Sequence, residues 1–144
     1  MDEQYTYVGN NRAYIIKLVS RTTRNIVGYD AAFDKHTQRI QSTVDSAPKA
    51  DYYYSDAYFG YKDICYEGFH LSLNNKSQTY TVEGVNSDLR KYIPALARRS
   101  KCFFRSLKTI KYVLAIFVHA FNKFNIHKLL FPDLKASFYL VNFI

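Results

Sequence analysis

One stretch of the sequence, Ala13–Val19, is almost continuously apolar. Such a run is typical of a strand that is buried on both faces of a sheet. Segments with strand character precede and follow it, at Gln4–Gly9 and Asn25–Ala31, and turn-forming residues separate the three. Because short connections join neighbouring strands as hairpins, we predict an antiparallel meander of three strands.

A helix and a fourth strand are expected next. Thr37, Ile40 and Val44 recur at helical spacing, and Asp34 is positioned to cap that helix. Tyr52–Tyr54 is typical of a short strand. Because a helix connects it to the meander, it is a candidate parallel partner of the first strand.

The remaining segments predict one more strand and two helices. Apolar and polar residues alternate over 69–73, which indicates a half-exposed fifth strand. An amphipathic helix is expected over Val82–Leu96, and Pro94 should kink or divide it. A further helix is expected over Phe103–Phe124.

The predicted order, β-β-β-α-β-β-α-α, assigns the chain to the α/β class. We expect residues 1–144 to form a single RNase H-like domain, with a mixed five-stranded sheet flanked by helices. Many α/β domains contain part of this order, so the fold prediction also depends on where the acidic residues lie.

The positive charge is concentrated in the C-terminal third, a basic helical region from about residue 89. The formal net charge is +8, yet no acidic residue occurs between Asp88 and Asp133. A solvated helix face would normally interleave acids with its bases, so a polyanion partner, nucleic acid above all, is favoured. The ten bases of this region are Arg90, Lys91, Arg98, Arg99, Lys101, Arg105, Lys108, Lys111, Lys123 and Lys128.

Three acidic residues occupy positions where such a fold could bring them together. Asp2 opens the first strand, Asp56 follows the Tyr52–Tyr54 strand, and Glu83 lies in the first turn of the helix after the fifth strand. Three carboxylates suit Mg²⁺ or Mn²⁺, and two such ions could serve phosphodiester chemistry. Each acid also has an ordinary explanation as a solvated terminus, a turn residue or a match to the helix dipole.

Helical spacing groups Glu83 with two further polar residues. Asn86 and Arg90 follow it along one helix face, opposite the apolar stripe. A carboxylate, an amide and a cation on one surface would combine a metal ligand with groups that contact phosphate.

Several motifs resemble the catalytic domain of InsB-type transposases of the insertion-sequence-1 family, and the resemblance covers essentially the whole chain. The Asp2 and Glu83 motifs are the most specific of them. The matching segments are Met1–Gly9, Ser55–Tyr61, Phe69–Ser72, Tyr80–Arg90, Arg98–Ser100 and Phe131–Asp133.

This resemblance implies a DDE transposase of the bacterial cytoplasm. Asp2, Asp56 and Glu83 would be its catalytic metal ligands for two Mg²⁺ or Mn²⁺ ions. DNA would be its partner, and a homo-oligomer its active complex. Family members carry an upstream DNA-binding region, so we expect this chain to be the catalytic domain without it. The residues expected to contact DNA are Asn86, Arg90, Arg98, Arg99, Lys101 and Arg105.

Other polar residues have weaker assignments. His70 could support the metal ligands or contact DNA, but it also fits an ordinary polar position on a strand. Cys65 and Cys102 are expected to be free thiols, as suits a reducing cytoplasm. The longest apolar run, around Val113–Phe121, is too short to span a bilayer, so no membrane association is expected.

The expected function is metal-dependent cleavage of DNA ends followed by strand transfer, in transposition of an insertion sequence. Two alternatives remain open. An RNase H-like nuclease or resolvase would hydrolyse DNA without joining it, and a catalytically inactive remnant of a mobile element would only bind DNA.

Overall fold

A computed structural model describes residues 1–72, 80–97 and 103–133. Within these ranges the chain is a mixed α/β structure with five strands and three helices, together with short 3₁₀ turns at Phe59–Tyr61 and Pro94–Leu96. The elements are β1 (Asp2–Val8), β2 (Asn11–Val19), β3 (Ile26–Ala32), α1 (Thr37–Asp45), β4 (Tyr52–Ser55), β5 (Phe69–Ser72), α2 (Tyr80–Tyr92) and α3 (Leu107–Leu130).

The first three strands form an antiparallel sheet in the order β1-β2-β3, as predicted. The central strand β2 is buried on both faces, because successive side chains point to opposite sides of a sheet. Ile15 packs into the core under α2 and α3, whereas Ile16 packs into a second core under α1. The sheet therefore separates two hydrophobic cores.

The remaining two strands, β4 and β5, pair in parallel and form a second sheet. The expected single five-stranded sheet, with β4 paired along β1, is therefore not observed in the described residues. In the described residues, the start of β1 is linked to β4 by a hydrogen bond of 2.7 Å from the Met1 nitrogen to the Tyr54 carbonyl oxygen. Since the start of β1 lies level with the end of β4, the two strands overlap too little to form a ladder.

The helix boundaries differ from the predictions for α1 and α3, whereas the predicted break at Pro94 is confirmed. His36 is the N-cap residue of α1, and Asp34 instead accepts a hydrogen bond from the His36 backbone nitrogen, so the predicted Asp34 cap was wrong. Pro94 does divide its helix, because α2 ends at Tyr92 and a 3₁₀ turn begins at Pro94. The last helix starts later than predicted, where the Ser106 side chain caps the Thr109 backbone nitrogen.

Asn122 attaches α3 to the outer edge of β3. Its Oδ1 accepts a hydrogen bond from the Ile26 nitrogen, its Nδ2 donates one to the Ile26 oxygen, and both distances are 2.8 Å. The amide thus pairs with Ile26 as a neighbouring strand would. Within the described ranges, none of the helices combines the length and hydrophobicity needed to cross a membrane.

Candidate functional site

The ends of β1 and β4 bring Asp2 and Asp56 into one electrostatic neighbourhood. Burial raises the pKa of Glu3. The Lys35 charge and a hydrogen bond with Tyr61 oppose this shift, whereas the charges of Asp56 and Asp2 add to it. Tyr61 is fully buried, and its pKa is raised above the usual range by burial and by the charges of Glu3, Asp2 and Asp56. We call Asp2, Glu3 and Asp56, whose charges act on one another or on Tyr61, the acidic cluster.

Asn86 connects α2 to this cluster. Its side chain is 7% exposed, and its Nδ2 donates a hydrogen bond to Asp2 Oδ2 at 2.5 Å. The other amide atom, Oδ1, is buried and has no hydrogen-bond partner among the described residues. We expected Asn86 on an exposed, DNA-contacting face, but in the structure it lies inside the fold against Asp2.

Glu83 lies one helical turn before Asn86 and is exposed. Its charge is not among the causes that shift the pKa values of Glu3, Lys17 or Tyr61. Within the described residues, no group of three or more acidic, histidine or cysteine side chains is arranged to hold a metal ion. The charges of Asp2 and Asp56 thus both act on Glu3 and Tyr61, whereas that of Glu83 does not, and the three-carboxylate metal site stays a prediction.

Lys17 on β2 is a member of the site that sequence reasoning missed. It is fully buried, lies opposite Asp2 in the β1–β2 register, and its Nζ has no hydrogen-bond partner within the described ranges. Burial lowers the pKa of Lys17 to about 8, Asp2 and Glu3 favour its charged form, and Arg90 opposes it. The signal in the sequence was a single lysine within the otherwise apolar run Ala13–Val19.

The predicted DNA-contacting bases are only partly described. Arg90 is partly exposed at the end of α2, and its charge reaches Lys17. Arg105 is exposed just before α3. The remaining three, Arg98, Arg99 and Lys101, lie outside the described residues.

His70 contacts the Ser55 hydroxyl, which in turn is hydrogen-bonded to the Asp56 carbonyl oxygen. Its Nε2 lies 2.8 Å from Ser55 Oγ, and its ring stacks on Tyr66 with centroids 4.3 Å apart. The hydroxyls of Ser55 and Ser72 both donate to the Asp56 carbonyl oxygen, at 2.9 and 3.0 Å. Burial lowers the pKa of His70. This arrangement favours a supporting role for His70 over a direct contact with DNA.

A cavity of about 670 Å³ adjoins the Met1 end of β1. It lies between the end of β2, the start of β4 and the first turn of α2. The Arg21 guanidinium lies over the Tyr54 ring at 4.7 Å and over the Tyr80 ring at 5.9 Å on its wall. The site thus combines a partly buried acidic cluster with a neighbouring cavity that carries a cation and aromatic rings.

No protein-family model, curated protein or solved structure gives a significant match to this chain.

Proposed function

We propose that this chain is a DDE-type transposase catalytic domain, an RNase H-like unit that cleaves DNA ends and transfers strands with the aid of divalent metal. The observation that carries the proposal is that Asp2 and Asp56, near the adjoining ends of β1 and β4, both act on the pKa values of Glu3 and Tyr61, while Asn86 of α2 is bonded to Asp2. Acids from two separate strands next to a helix form a favourable start for a phosphodiester-cleaving site.

The donor atoms fit Mg²⁺ or Mn²⁺. Asp2 and Asp56 offer carboxylate oxygens, and the Asn86 side chain, which is bonded to Asp2 through Nδ2, carries a buried Oδ1 without a partner among the described residues. Hard cations prefer such oxygen ligands. Asp2, Asp56 and Glu83 would hold two ions, which would activate the attacking oxygen and stabilise the leaving one. Asn86 would orient Asp2, and Ser55 with His70 would orient the Asp56 main chain.

DNA is the substrate that the charge of the chain favours. The acid-free segment between Asp88 and Asp133 supplies bases for phosphate contacts, which give affinity without reading sequence. Arg90, Arg98, Arg99, Lys101 and Arg105 are proposed to make them. An active homo-oligomer and a bacterial cytoplasmic location belong to the same proposal.

One observation favours a second function, DNA binding without catalysis. The buried Lys17 already supplies a positive charge beside Asp2, and the α2 residue that reaches Asp2 is an amide, not a carboxylate. A cluster neutralised in this way could be structural, as expected for an inactive remnant of a mobile element.

The deciding experiment compares the parent with Asp56→Asn on supercoiled and linear DNA, with Mg²⁺ or Mn²⁺. Asparagine keeps an oxygen that can accept the 3.0 Å hydrogen bond from the Tyr58 nitrogen, so folding should be preserved. We expect metal-dependent nicking to fall at least about 100-fold, while DNA affinity stays within about twofold. Asp63→Asn, at an exposed acid nearby, is the matched control.

The outcomes separate the candidate functions. Nicking with strand joining supports the transposase, and nicking without joining supports a nuclease or resolvase. Binding without nicking in the parent supports the inactive remnant. Equal nicking by the parent and Asp56→Asn would assign the activity to another site.

A further inference from the structure

Aromatic rings and cations alternate along the exposed half of one face of the antiparallel sheet. Tyr5 pairs with Tyr14, and Tyr7 with Arg12, in the β1–β2 register, so these four side chains project from the same face. Two residues outside the sheet extend the row. We call this row the tyrosine strip, and it consists of Tyr5, Tyr7, Arg12, Tyr14, Lys35 and Tyr58.

Direct contacts join the members of the strip. The Arg12 guanidinium lies 5.0 Å from the Tyr5 ring centroid and 5.9 Å from that of Tyr7. Lys35 Nζ continues the row, at 5.7 Å from the Tyr14 centroid and 3.6 Å from that of Tyr58. Each cation therefore contacts two rings, and these cation–π contacts hold the side chains of the strip in place before any ligand binds.

The strip keeps its aromatic surface in water although the same sheet face is covered elsewhere. The core under α1 takes up Ile16 and Leu18 of β2. Tyr5 remains 60% exposed and Tyr7 44% exposed. Contiguous exposed aromatic surface of this kind marks an interaction site more often than isolated exposed residues do.

We propose that the tyrosine strip binds single-stranded DNA. Its rings offer stacking surfaces that any base can use, and Arg12 and Lys35 supply positive charge for the phosphates between them. Sheet faces that carry exposed aromatic side chains and cations are well suited to unpaired bases. None of the six residues is acidic, which matches a polyanion. Duplex DNA hides its base faces and gains only the charge contacts.

One end of the strip reaches the candidate site. The Tyr58 backbone nitrogen donates to Asp56 Oδ1 at 3.0 Å. A single strand on the strip would therefore lead to the acidic cluster, as an unpaired end beside a cleavage site would. This last step rests on the proposed function, whereas binding along the strip does not.

The test measures the affinity for a fluorescently labelled thymidine oligonucleotide of about 15 nucleotides, within the site sizes common for single-strand binding, and for a duplex of equal length. All measurements are made in chelator, so that metal chemistry plays no part. Tyr5→Ala and Tyr7→Ala should each weaken single-strand binding by about tenfold or more and change duplex binding by less than about twofold.

Matched variants keep the result interpretable. Tyr5→Phe keeps the ring and should bind like the parent. Tyr112→Ala removes a similarly exposed tyrosine (59%) from α3 and should change neither affinity. Circular dichroism spectra of each variant check folding, and photocrosslinking of the parent to an iododeoxyuridine oligonucleotide should label Tyr5 or Tyr7.

Several outcomes would overturn the proposal. These are absence of single-strand binding, unchanged affinity in both alanine variants, or crosslinks confined to residues outside the strip. Self-association that Tyr5→Ala abolishes, without oligonucleotide binding, would identify the strip as a protein interface instead. Because Asp56→Asn should bind the oligonucleotide as the parent does, loss of nicking and loss of strand binding report separately on the two proposals.

Discussion

Asn86 on α2 donates a hydrogen bond to Asp2 on β1, across 84 residues of chain. The contact fixes which turn of α2 faces the start of β1. Because the bond uses only one end of the amide, the buried Oδ1 remains without a partner among the described residues. An unpaired buried acceptor is costly, so its presence on the side chain that binds Asp2 favours a site for a ligand.

Asn86→Asp should test that site directly. The change places two carboxylates in contact, and we expect the free energy of unfolding in chelator to fall by about 1–3 kcal/mol. Mn²⁺ should restore much of that loss if the oxygens form a cation site. Urea denaturation with and without Mn²⁺ measures both effects, and Ser87→Asp, at the exposed neighbouring position, is the control. A loss that Mn²⁺ leaves unchanged would contradict a cation site at Asp2.

Lys17→Met should raise stability near neutral pH in chelator. Burial lowers the pKa of Lys17 from 10.5 to about 8, so the folded state holds fewer protons than the unfolded state between those values. The cost of the buried charge is thus fully present below pH 8 and disappears as the pH rises to 10.5. That shift corresponds to roughly 3 kcal/mol.

The measurement for Lys17 is the difference in unfolding free energy between parent and variant from pH 7 to pH 10.5. Subtraction removes the contributions of other titrating groups. The advantage of Lys17→Met should shrink across this range, and exposed Lys62→Met should show no such trend. A constant difference would mean that Lys17 has an ordinary pKa and is accessible to water.

His70 should titrate below its ordinary value of 6.5 because its ring is partly buried between Ser55 and Tyr66. Because the pKa of His70 is lower in the folded state, the unfolded state binds the proton at a higher pH than the folded state does. The His70 contribution to stability therefore falls as the pH drops below 6.5. His70→Phe keeps the stack on Tyr66 and should remove that acid-side loss. NMR titration of the imidazole gives the midpoint, and a value at or above 6.5 would contradict the buried contact.

Asn122→Ala should destabilise the fold by about 2–3 kcal/mol, because it leaves both backbone groups of the buried Ile26 without partners. Asn122→Asp keeps the hydrogen-bond acceptor but not the donor, so its decrease in unfolding free energy should be intermediate. Thermal and urea unfolding measure the changes, with exposed Lys123→Ala as control. Equal stability of parent and Asn122→Ala would mean that water replaces the amide.

The periodicity of the sequence predicted the existence of most elements but not how the strands pair. The meander and the break at Pro94 depend on neighbouring residues, and both were predicted correctly. The partner of β4 depends on how far β1 overlaps it, which is a relation between distant segments. Local patterns carry no information on such overlap, so the predicted single sheet was wrong.

The same limit applies to the site. Asp2 and Asp56 were grouped by a predicted pairing of β4 with β1, which the described residues do not show. The Lys17–Asp2 pairing depends on the β1–β2 register, which the sequence pattern left undetermined. Asn86 was assigned to an exposed face because helical spacing groups it with Glu83 and Arg90. The packing of α2 against β1 turns that residue inward instead.

The two faces of the antiparallel sheet become covered at different stages of synthesis. The core under α1 is built from residues between Met1 and Tyr66, so it can close while the rest of the chain is still being made. The opposite face, with Ile15 at its centre, needs side chains as late as Phe121. Until α2 and α3 emerge from the ribosome, that face is an exposed apolar sheet, which is the surface that chaperones recognise on a nascent chain.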